Sequence, residues 1–264
     1  MPSSHLFKKG PVGCLLIHGF TGSPNELFEL GEYLSKENLT VSIPMLPGHG
    51  TYSADLLNYT WRDWFERVKA SYHELSDMCE EVYVAGLSMG GTLALHLAAH
   101  YPVHGVISMA AVIKLPTWKK IFAKNLDGLI KFRRKRGGED VRDESAKSQL
   151  ESYQRYPLKS VEQLFQLLDH VRNDLPEISA PILILHSKYD HTVPFSNSEL
   201  IYHLVGSFDK RKVDLEQSYH VITVDFDKEK LKEEAFNFIN SHSKILKTKS
   251  KKTIAAGGVS KTGV

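Results

Sequence analysis

The stretch that decides the fold is Gly-Leu-Ser-Met-Gly at residues 86–90. An apolar run, 82–85, precedes it, and a run of helix-forming residues, 92–99, follows it. A serine held between glycines at a strand-to-helix turn projects its hydroxyl from a sharp bend, where a base can remove its proton. We therefore predict that Ser88 is a nucleophile. The alternative is a turn of small residues that only packs a helix on a sheet.

The composition is that of an ordinary globular protein. The 264 residues are 42% hydrophobic and 24% charged, which is enough for one sizeable core. A formal net charge of +2, from 33 basic and 31 acidic residues, gives no reason to expect nucleic acid as a partner. The first residues lack an apolar stretch of signal-peptide length. We expect a cytoplasmic protein, a monomer or weak homodimer, without stable membrane insertion.

Apolar runs alternate with helical patterns along the chain. The apolar runs lie at 12–17, 39–43, 82–85, 106–111 and 182–185, and the helical patterns at 25–36, 60–75, 92–100, 196–204 and 228–241. Nearly continuous apolar runs indicate strands that are buried on both faces. Strands that alternate with helices indicate a mainly parallel sheet. The predicted fold class is therefore α/β, with helices on both faces of the sheet.

Residues 114–175 interrupt this alternation. They carry helical patterns at 117–132 and 159–171 and no buried-strand signal, and the basic run at 131–136 is predicted to be a solvated loop. The segment follows the end of a strand, so it should cover the carboxyl edge of the sheet, where α/β proteins bind ligands. We predict a core of residues 1–113 and 176–243, a helical lid at 114–175 and a disordered tail at 244–264. A peripheral helical layer is the alternative to a lid.

A serine nucleophile needs a histidine that takes its proton and a carboxylate that orients the histidine. At an elbow of this type the acid follows the serine along the chain, and the histidine follows the acid. Asp190 lies just beyond the strand at 182–185 and is the predicted acid; the alternative is a turn residue that bonds its own backbone. His220 lies in a loop before the last helix and is the predicted general base.

Other histidines fit these requirements less well. His191 directly follows the acid, His203 lies within a helix, and His242 is close to the tail. None of them is easily placed between Asp190 and Ser88. His96, His100 and His104 are spaced by four, but Pro102 breaks the helix between the last two and no H-E-x-x-H motif or acidic partner is apparent, so we predict no metal site.

Two backbone amides are predicted to stabilise negative charge on the carbonyl oxygen of a substrate. One belongs to Met89, directly after the nucleophile, and the other to Phe20, in the loop that follows the strand at 12–17. His18 is expected to hold this loop through hydrogen bonds, and His49 to be structural. The predicted substrate contacts are Phe20, Met45, Leu46, Trp61 and Phe122, with Trp64 close to them.

Several separated motifs together resemble the small carboxylesterases and monoacylglycerol lipases of bacilli. They are HGFTG at 18–22, PGHG at 47–50, TWRDW at 60–64, GLSMGG at 86–91, Asp190 with the Val-Pro pair at 193–194, and HVIT at 220–223. The resemblance covers roughly residues 12–240. It implies an α/β-hydrolase fold with a small cap, a triad of Ser88, Asp190 and His220, and oxyanion amides at Phe20 and Met89. It also implies ester hydrolysis without a cofactor.

The predicted activity is that of a serine carboxylesterase acting on small-molecule esters of short to medium chain length, with monoacylglycerols among the candidates. Hydrolysis of C–C or amide bonds would use the same triad and is an alternative. A third reading is a hydrolase-like protein that binds a small ligand without catalysis. Dehalogenase and epoxide hydrolase chemistry is disfavoured, because those enzymes carry a carboxylate where this chain has Ser88.

Overall fold

The computed structural model describes residues 2–116, 131–135 and 137–248. The strands in these ranges are β1 (His5–Phe7), β2 (Val12–Ile17), β3 (Thr40–Ile43), β4 (Glu81–Leu87), β5 (Gly105–Met109), β6 (Phe132–Arg134), β7 (Arg155–Pro157), β8 (Ile182–Ser187) and β9 (Lys210–Leu215). The helices are α1 (Phe28–Lys36), α2 (Trp61–Ser76), α3 (Met89–His100), α4 (Glu144–Gln149), α5 (Leu158–Asp174), α6 (Ser196–Leu204) and α7 (Lys228–His242). Short 3-10 turns lie at Pro24–Leu27, Ser53–Asn58 and Leu175–Glu177.

The central sheet has the strand order β1-β3-β2-β4-β5-β8-β9. Strand β1 pairs antiparallel with β3, and the other neighbours pair parallel. In β2, Leu15 and Ile17 face one apolar cluster, while Cys14 and Leu16 face a second one on the opposite side. The first cluster includes residues of α2, α3, α5 and α6, and the second includes residues of α1 and α7. Helices therefore cover both faces, and the predicted α/β-hydrolase fold is confirmed.

The secondary structure predicted from the sequence is wrong at one edge of the sheet and in the insertion. Strand β1 has only three partly exposed residues, so it lacks the apolar run that marks a buried strand. In the insertion, β6 and β7 form a two-stranded antiparallel pair, and α5 matches the predicted second helix. Residues 132–134 of the basic run therefore form a strand. The run itself carries no sign of this pairing, because its partner β7 is distant in sequence. Most of the predicted helix at 117–132 falls outside the described residues.

The tail also begins later than predicted. Residues 244–248 are helical, and Ile245 and Leu246 pack against the cluster beneath α7. The backbone N–H of Lys244 donates to Glu81 at 2.9 Å. The predicted disorder of the remaining tail concerns residues outside the described ranges.

The parallel sheet brings distant loops together. The carboxyl ends of β2, β4, β8 and β9 lead into the loops that carry Phe20, Ser88, Asp190 and His220. Within the described ranges, every helix is too short or too polar to cross a bilayer.

Candidate active site

Ser88 occupies a strained turn between β4 and α3. Its backbone has φ 56° and ψ −118°, a region that residues with a side chain rarely adopt. The flanking glycines make this turn possible. A Cβ added at Gly86 would lie 2.1 Å from the carbonyl oxygen of Gly90, and one added at Gly90 would lie 2.0 Å from that of Ile17. Only glycine therefore lets α3 begin this close to β4 and β2.

Three side chains that are far apart in the sequence form a hydrogen-bonded chain at this turn. The Nε2 atom of His220 lies 2.9 Å from the Oγ atom of Ser88, and its Nδ1 atom lies 2.7 Å from Oδ2 of Asp190. An Nδ1–H that donates to the carboxylate leaves Nε2 as the acceptor for the serine hydroxyl. This is the arrangement that lets an imidazole deprotonate a serine.

The carboxylate of Asp190 is fully buried and receives several hydrogen bonds. Its Oδ1 atom accepts from the backbone N–H groups of Thr192 at 2.9 Å and Val193 at 2.7 Å. Burial raises the pKa of Asp190, but the positive charge of His220 and the hydrogen bonds from His186 and His220 outweigh it and hold that pKa well below the usual range. Asp190 is therefore ionised at neutral pH.

His186, which was not predicted from the sequence, is a second histidine that contacts the carboxylate of Asp190. Its Nε2 atom lies 3.2 Å from Oδ2 of Asp190 and 3.2 Å from the carbonyl oxygen of Val193. Its Nδ1 atom is buried without a hydrogen-bond partner among the described residues. An Nε2–H tautomer fits both contacts, since both acceptors are oxygens. His186 follows the apolar run of β8, so the sequence pattern predicts a buried strand residue and gives no sign of a contact with Asp190.

Asp140, in the insertion, connects the loop of the acid to the loop of the histidine. Its carboxylate accepts from the backbone N–H of His191 at 3.0 Å and from Oγ1 of Thr192 at 3.2 Å. Its backbone carbonyl accepts from the N–H of His220 at 2.9 Å. Asp140 was not predicted as a site residue, because nothing near it in the chain indicates a contact with either loop.

The electrostatic surroundings favour a protonated His220. Burial lowers its pKa, but the negative charge of Asp190 and the hydrogen bond to it outweigh burial, with smaller contributions from Asp140 and Glu139. The net effect raises the pKa of His220 above its ordinary value. An imidazolium that forms during a reaction would therefore be stabilised here.

The loop that carries Phe20 is held from below by two buried side chains. Nδ1 of His18 lies 2.9 Å from the carbonyl oxygen of Gly19, and Nε2 of the same ring accepts the backbone N–H of Leu46 at 3.1 Å. Burial lowers the pKa of His18 to about 4, so this ring is neutral and structural. The buried carboxylate of Glu26, which the sequence analysis also missed, accepts the N–H of Gly19 at 3.2 Å. Met89 is the first residue of α3, so its N–H has no acceptor within the helix.

A cavity of about 460 Å³ opens beside Ser88 and His220. The insertion supplies much of its wall through β6, β7 and α5. The apolar part is lined by Phe20, Val112, Leu115, Tyr156, Leu158, Val161, Leu164, Phe165 and Val193, and the polar part by Thr21, Arg133, Lys135, Gly138, Glu139, Asp140, His191 and Thr192. Such a cavity has the size and the mixed lining of a small-molecule site.

Of the predicted substrate contacts, Phe20 lines this cavity, whereas Met45, Leu46 and Trp61 do not. Leu46 is buried beneath the loop of Phe20, where its backbone N–H donates to Nε2 of His18. Trp61 packs against His96 of α3, and the two ring centroids are 5.7 Å apart. The described cavity wall therefore does not include these three residues, and their contact with a substrate stays a prediction. Phe122 lies outside the described residues.

Comparisons with known proteins agree with this geometry. A family described as "Serine aminopeptidase, S33" matches residues 12–227. The chain is 36% identical over 243 residues to the thermostable monoacylglycerol lipase of Bacillus sp. strain H-257, which covers 89% of this chain and 93% of that protein. It is 28% identical over 240 residues to the carboxylesterase of Bacillus subtilis strain 168, covering 90% and 96% of the two chains.

A solved structure described as "LipS and LipT, two metagenome-derived lipolytic enzymes" is also similar. It shares 33% sequence identity and a TM-score of 0.87, and the match covers 91% of this chain and 98% of that chain. The similarity therefore extends over most of both chains.

Proposed function

The chain belongs to the serine aminopeptidase S33 family, alongside bacterial monoacylglycerol lipases and carboxylesterases, and we propose that it is a serine carboxylesterase. The observation that carries this proposal is the hydrogen-bonded chain Ser88–His220–Asp190 at the wall of a partly apolar cavity. The names of the two Bacillus relatives support ester hydrolysis.

In the proposed mechanism, Nε2 of His220 takes the proton of Ser88 as its Oγ attacks the ester carbonyl carbon. The amides of Phe20 and Met89 stabilise the negative oxygen of the tetrahedral intermediate. His220 then gives the proton to the departing alcohol, which leaves an acyl group on Ser88. A water molecule, deprotonated by His220, attacks the acyl carbon; the acid leaves, and Ser88 recovers its proton.

The two parts of the cavity suit the two parts of an ester. Residues of one face of α5, such as Val161 and Leu164, give a wall for an aliphatic acyl chain of short to medium length. The polar part, with Arg133 and Asp140, suits a hydroxylated alcohol such as glycerol. We therefore include monoacylglycerols among the substrates, and we assign residues 114–175 as the lid that closes over them.

Peptides are the other substrate class to weigh, because the matching family is described as a serine aminopeptidase family. An aminopeptidase needs a carboxylate that binds the free ammonium group of its substrate. In the described lining, the two carboxylates already have partners: Glu139 forms an ion pair with Lys135, and Asp140 accepts from His191 and Thr192. This favours esters over peptides.

Replacement of the nucleophile tests the proposal. Ser88→Ala should lower the rate of p-nitrophenyl butyrate hydrolysis by about 10⁴-fold or more, because no other group forms the acyl intermediate. A fluorophosphonate probe should label the wild-type protein on Ser88 and leave the variant unlabelled.

The matched control is Ser196→Ala, at an exposed serine that begins α6. It should keep the parental rate and be labelled. Parental activity in Ser88→Ala would refute the mechanism. An intact, unlabelled and inactive wild-type protein would favour a ligand-binding function, and faster cleavage of an aminoacyl p-nitroanilide than of the ester would favour a peptidase.

A further inference from the structure

Two helices present metal-binding side chains to each other at the end of α3 that is distant from Ser88. His96 and His100 lie one turn apart on α3, and Asp174 is the last residue of α5. One donor atom from each residue lies within 4.8 Å of the other two. The sequence near these histidines shows no acidic partner, because the acid comes from the insertion.

The three groups converge on one point. Nδ1 of His96 lies 2.6 Å from Oδ2 of Asp174, and Nε2 of His100 lies 3.7 Å from the same oxygen. The second distance is too long for a hydrogen bond. In a tetrahedral zinc site, ligand atoms about 2.1 Å from the metal lie about 3.4 Å from one another. Small side-chain rotations would therefore place the three donor atoms around a metal ion.

The surroundings favour a site that a metal ion can enter. The ring of His96 is held by Phe65, with ring centroids 4.4 Å apart. His100 is about half exposed (47%), which gives a path from solvent. His170 lies one turn before Asp174 on α5, and its ring centroid is 5.0 Å from that of Trp61, which also packs against His96. It is placed to approach as a fourth ligand.

We propose that His96, His100 and Asp174 form a zinc-binding site that joins α3 to α5, with a water molecule or His170 completing the coordination. Two imidazoles and one carboxylate suit Zn²⁺ and its neighbours Co²⁺ and Ni²⁺, whereas Mg²⁺ prefers oxygen ligands. Because α5 forms a wall of the cavity, a metal here would fix that wall against α3.

The role of this metal is structural. Helix α3 begins at Met89, directly after the nucleophile, and ends at His100. His96 and His100 follow Ser88 by 8 and 12 residues, about 12 and 18 Å along a helix that rises 1.5 Å per residue, which separates the metal from the reacting atoms. Removal of the metal should therefore leave the hydrolysis of p-nitrophenyl butyrate nearly unchanged at moderate temperature, so the site can be tested separately from the proposed esterase activity.

The test is a titration of chelator-treated protein with Zn²⁺ by calorimetry, and with Co²⁺ by visible absorption. Wild-type protein should bind one Zn²⁺, give the intense d–d bands of four-coordinate Co²⁺, and lose them when Zn²⁺ is added. Excess Zn²⁺ should raise the melting temperature by a few degrees. Mg²⁺ should do none of these things.

His100→Gln is the informative variant, because an exposed side chain can be replaced without harm to the core. It should weaken Zn²⁺ binding by more than about tenfold and abolish both the Co²⁺ bands and the thermal shift. His203→Gln, at an exposed histidine of α6, is the matched control and should behave as wild type. Equal Zn²⁺ binding by His100→Gln and wild type, or no stoichiometric binding by wild type, would overturn the proposal. A loss of affinity in His170→Gln would identify the fourth ligand.

Discussion

At the scale of single residues, the proposed acid has more partners than a triad requires. Asp190 accepts hydrogen bonds from two backbone amides and faces two histidines, His186 and His220. These donors compensate for the burial of its charge, since an ionised carboxylate without them would be strongly disfavoured. The same charge raises the pKa of His220.

The pH dependence of the rate follows from that shift. A general base must be neutral, so kcat/KM should fall in acid as His220 becomes protonated, with an apparent pKa above that of free imidazole. In Asp190→Asn the charge is absent, so the acid limb should move to lower pH and the maximal rate should drop by about 10⁴-fold. Initial rates from pH 4 to 9 measure both effects. A wild-type profile that stays flat down to pH 4 would contradict the assignment of His220.

His186 is predicted to act through Asp190. His186→Leu removes the second side-chain donor to the carboxylate and should lower kcat by about tenfold, with little change in KM. His186→Gln keeps an N–H donor and should recover much of the loss. Steady-state kinetics at constant protein stability measure the difference, and equal defects in both variants would mean that packing alone explains this residue.

At the scale of secondary-structure elements, helix α5 does most to shape the cavity. Leu158, Val161, Leu164 and Phe165 lie on one of its faces and line the cavity beside Ser88. These residues are spaced as on one face of an amphipathic helix, and this apolar face packs on the core and also lines the cavity. The chain length of the accepted ester should therefore depend on this face.

Val161→Trp tests that dependence. The larger side chain should fill the acyl part of the cavity, so kcat/KM for p-nitrophenyl octanoate should fall by tenfold or more, about 1.4 kcal/mol, while that for the acetate changes little. A series of p-nitrophenyl esters gives the comparison. Gln166→Trp, at an exposed position of the same helix, is the control. A uniform loss across the series would argue against an acyl site along α5.

At the scale of the whole molecule, two apolar clusters enclose the sheet, and Glu26 is buried close to the nucleophile. Burial raises its pKa from 4.5 to about 7, and the nearby charge of Glu139 adds to this effect. Because the pKa is higher in the folded state, the stabilising contribution of this group is present below pH 4.5 and is lost as the pH rises through 7.

Glu26→Gln should therefore be more stable than wild type at pH 8, and this advantage should shrink toward pH 5. The difference between the two pH values should be about 2.5 kcal/mol, since each unit of the pKa shift contributes roughly 1.4 kcal/mol and part of the effect is already present at pH 5. The glutamine oxygen can still accept the N–H of Gly19. Urea unfolding at a series of pH values measures the change, with Glu37→Gln at an exposed carboxylate as control. An advantage that does not vary with pH would show that Glu26 does not titrate in this range.

The sequence by itself determined the strands β2 to β5 and β8, the main helices and the candidates Ser88, Asp190 and His220. These features are local: apolar periodicity reports burial, and turn residues report where a strand ends. Only the tertiary structure placed Asp140 and His186 around the acid, Asp174 beside His96, and α5 along the cavity. The contacts of Asp140, Asp174 and α5 depend on how the insertion packs on the core, between residues too far apart in the chain for a local pattern to record. The contact of His186 with Asp190 depends on how the loop after β8 folds back on its own strand.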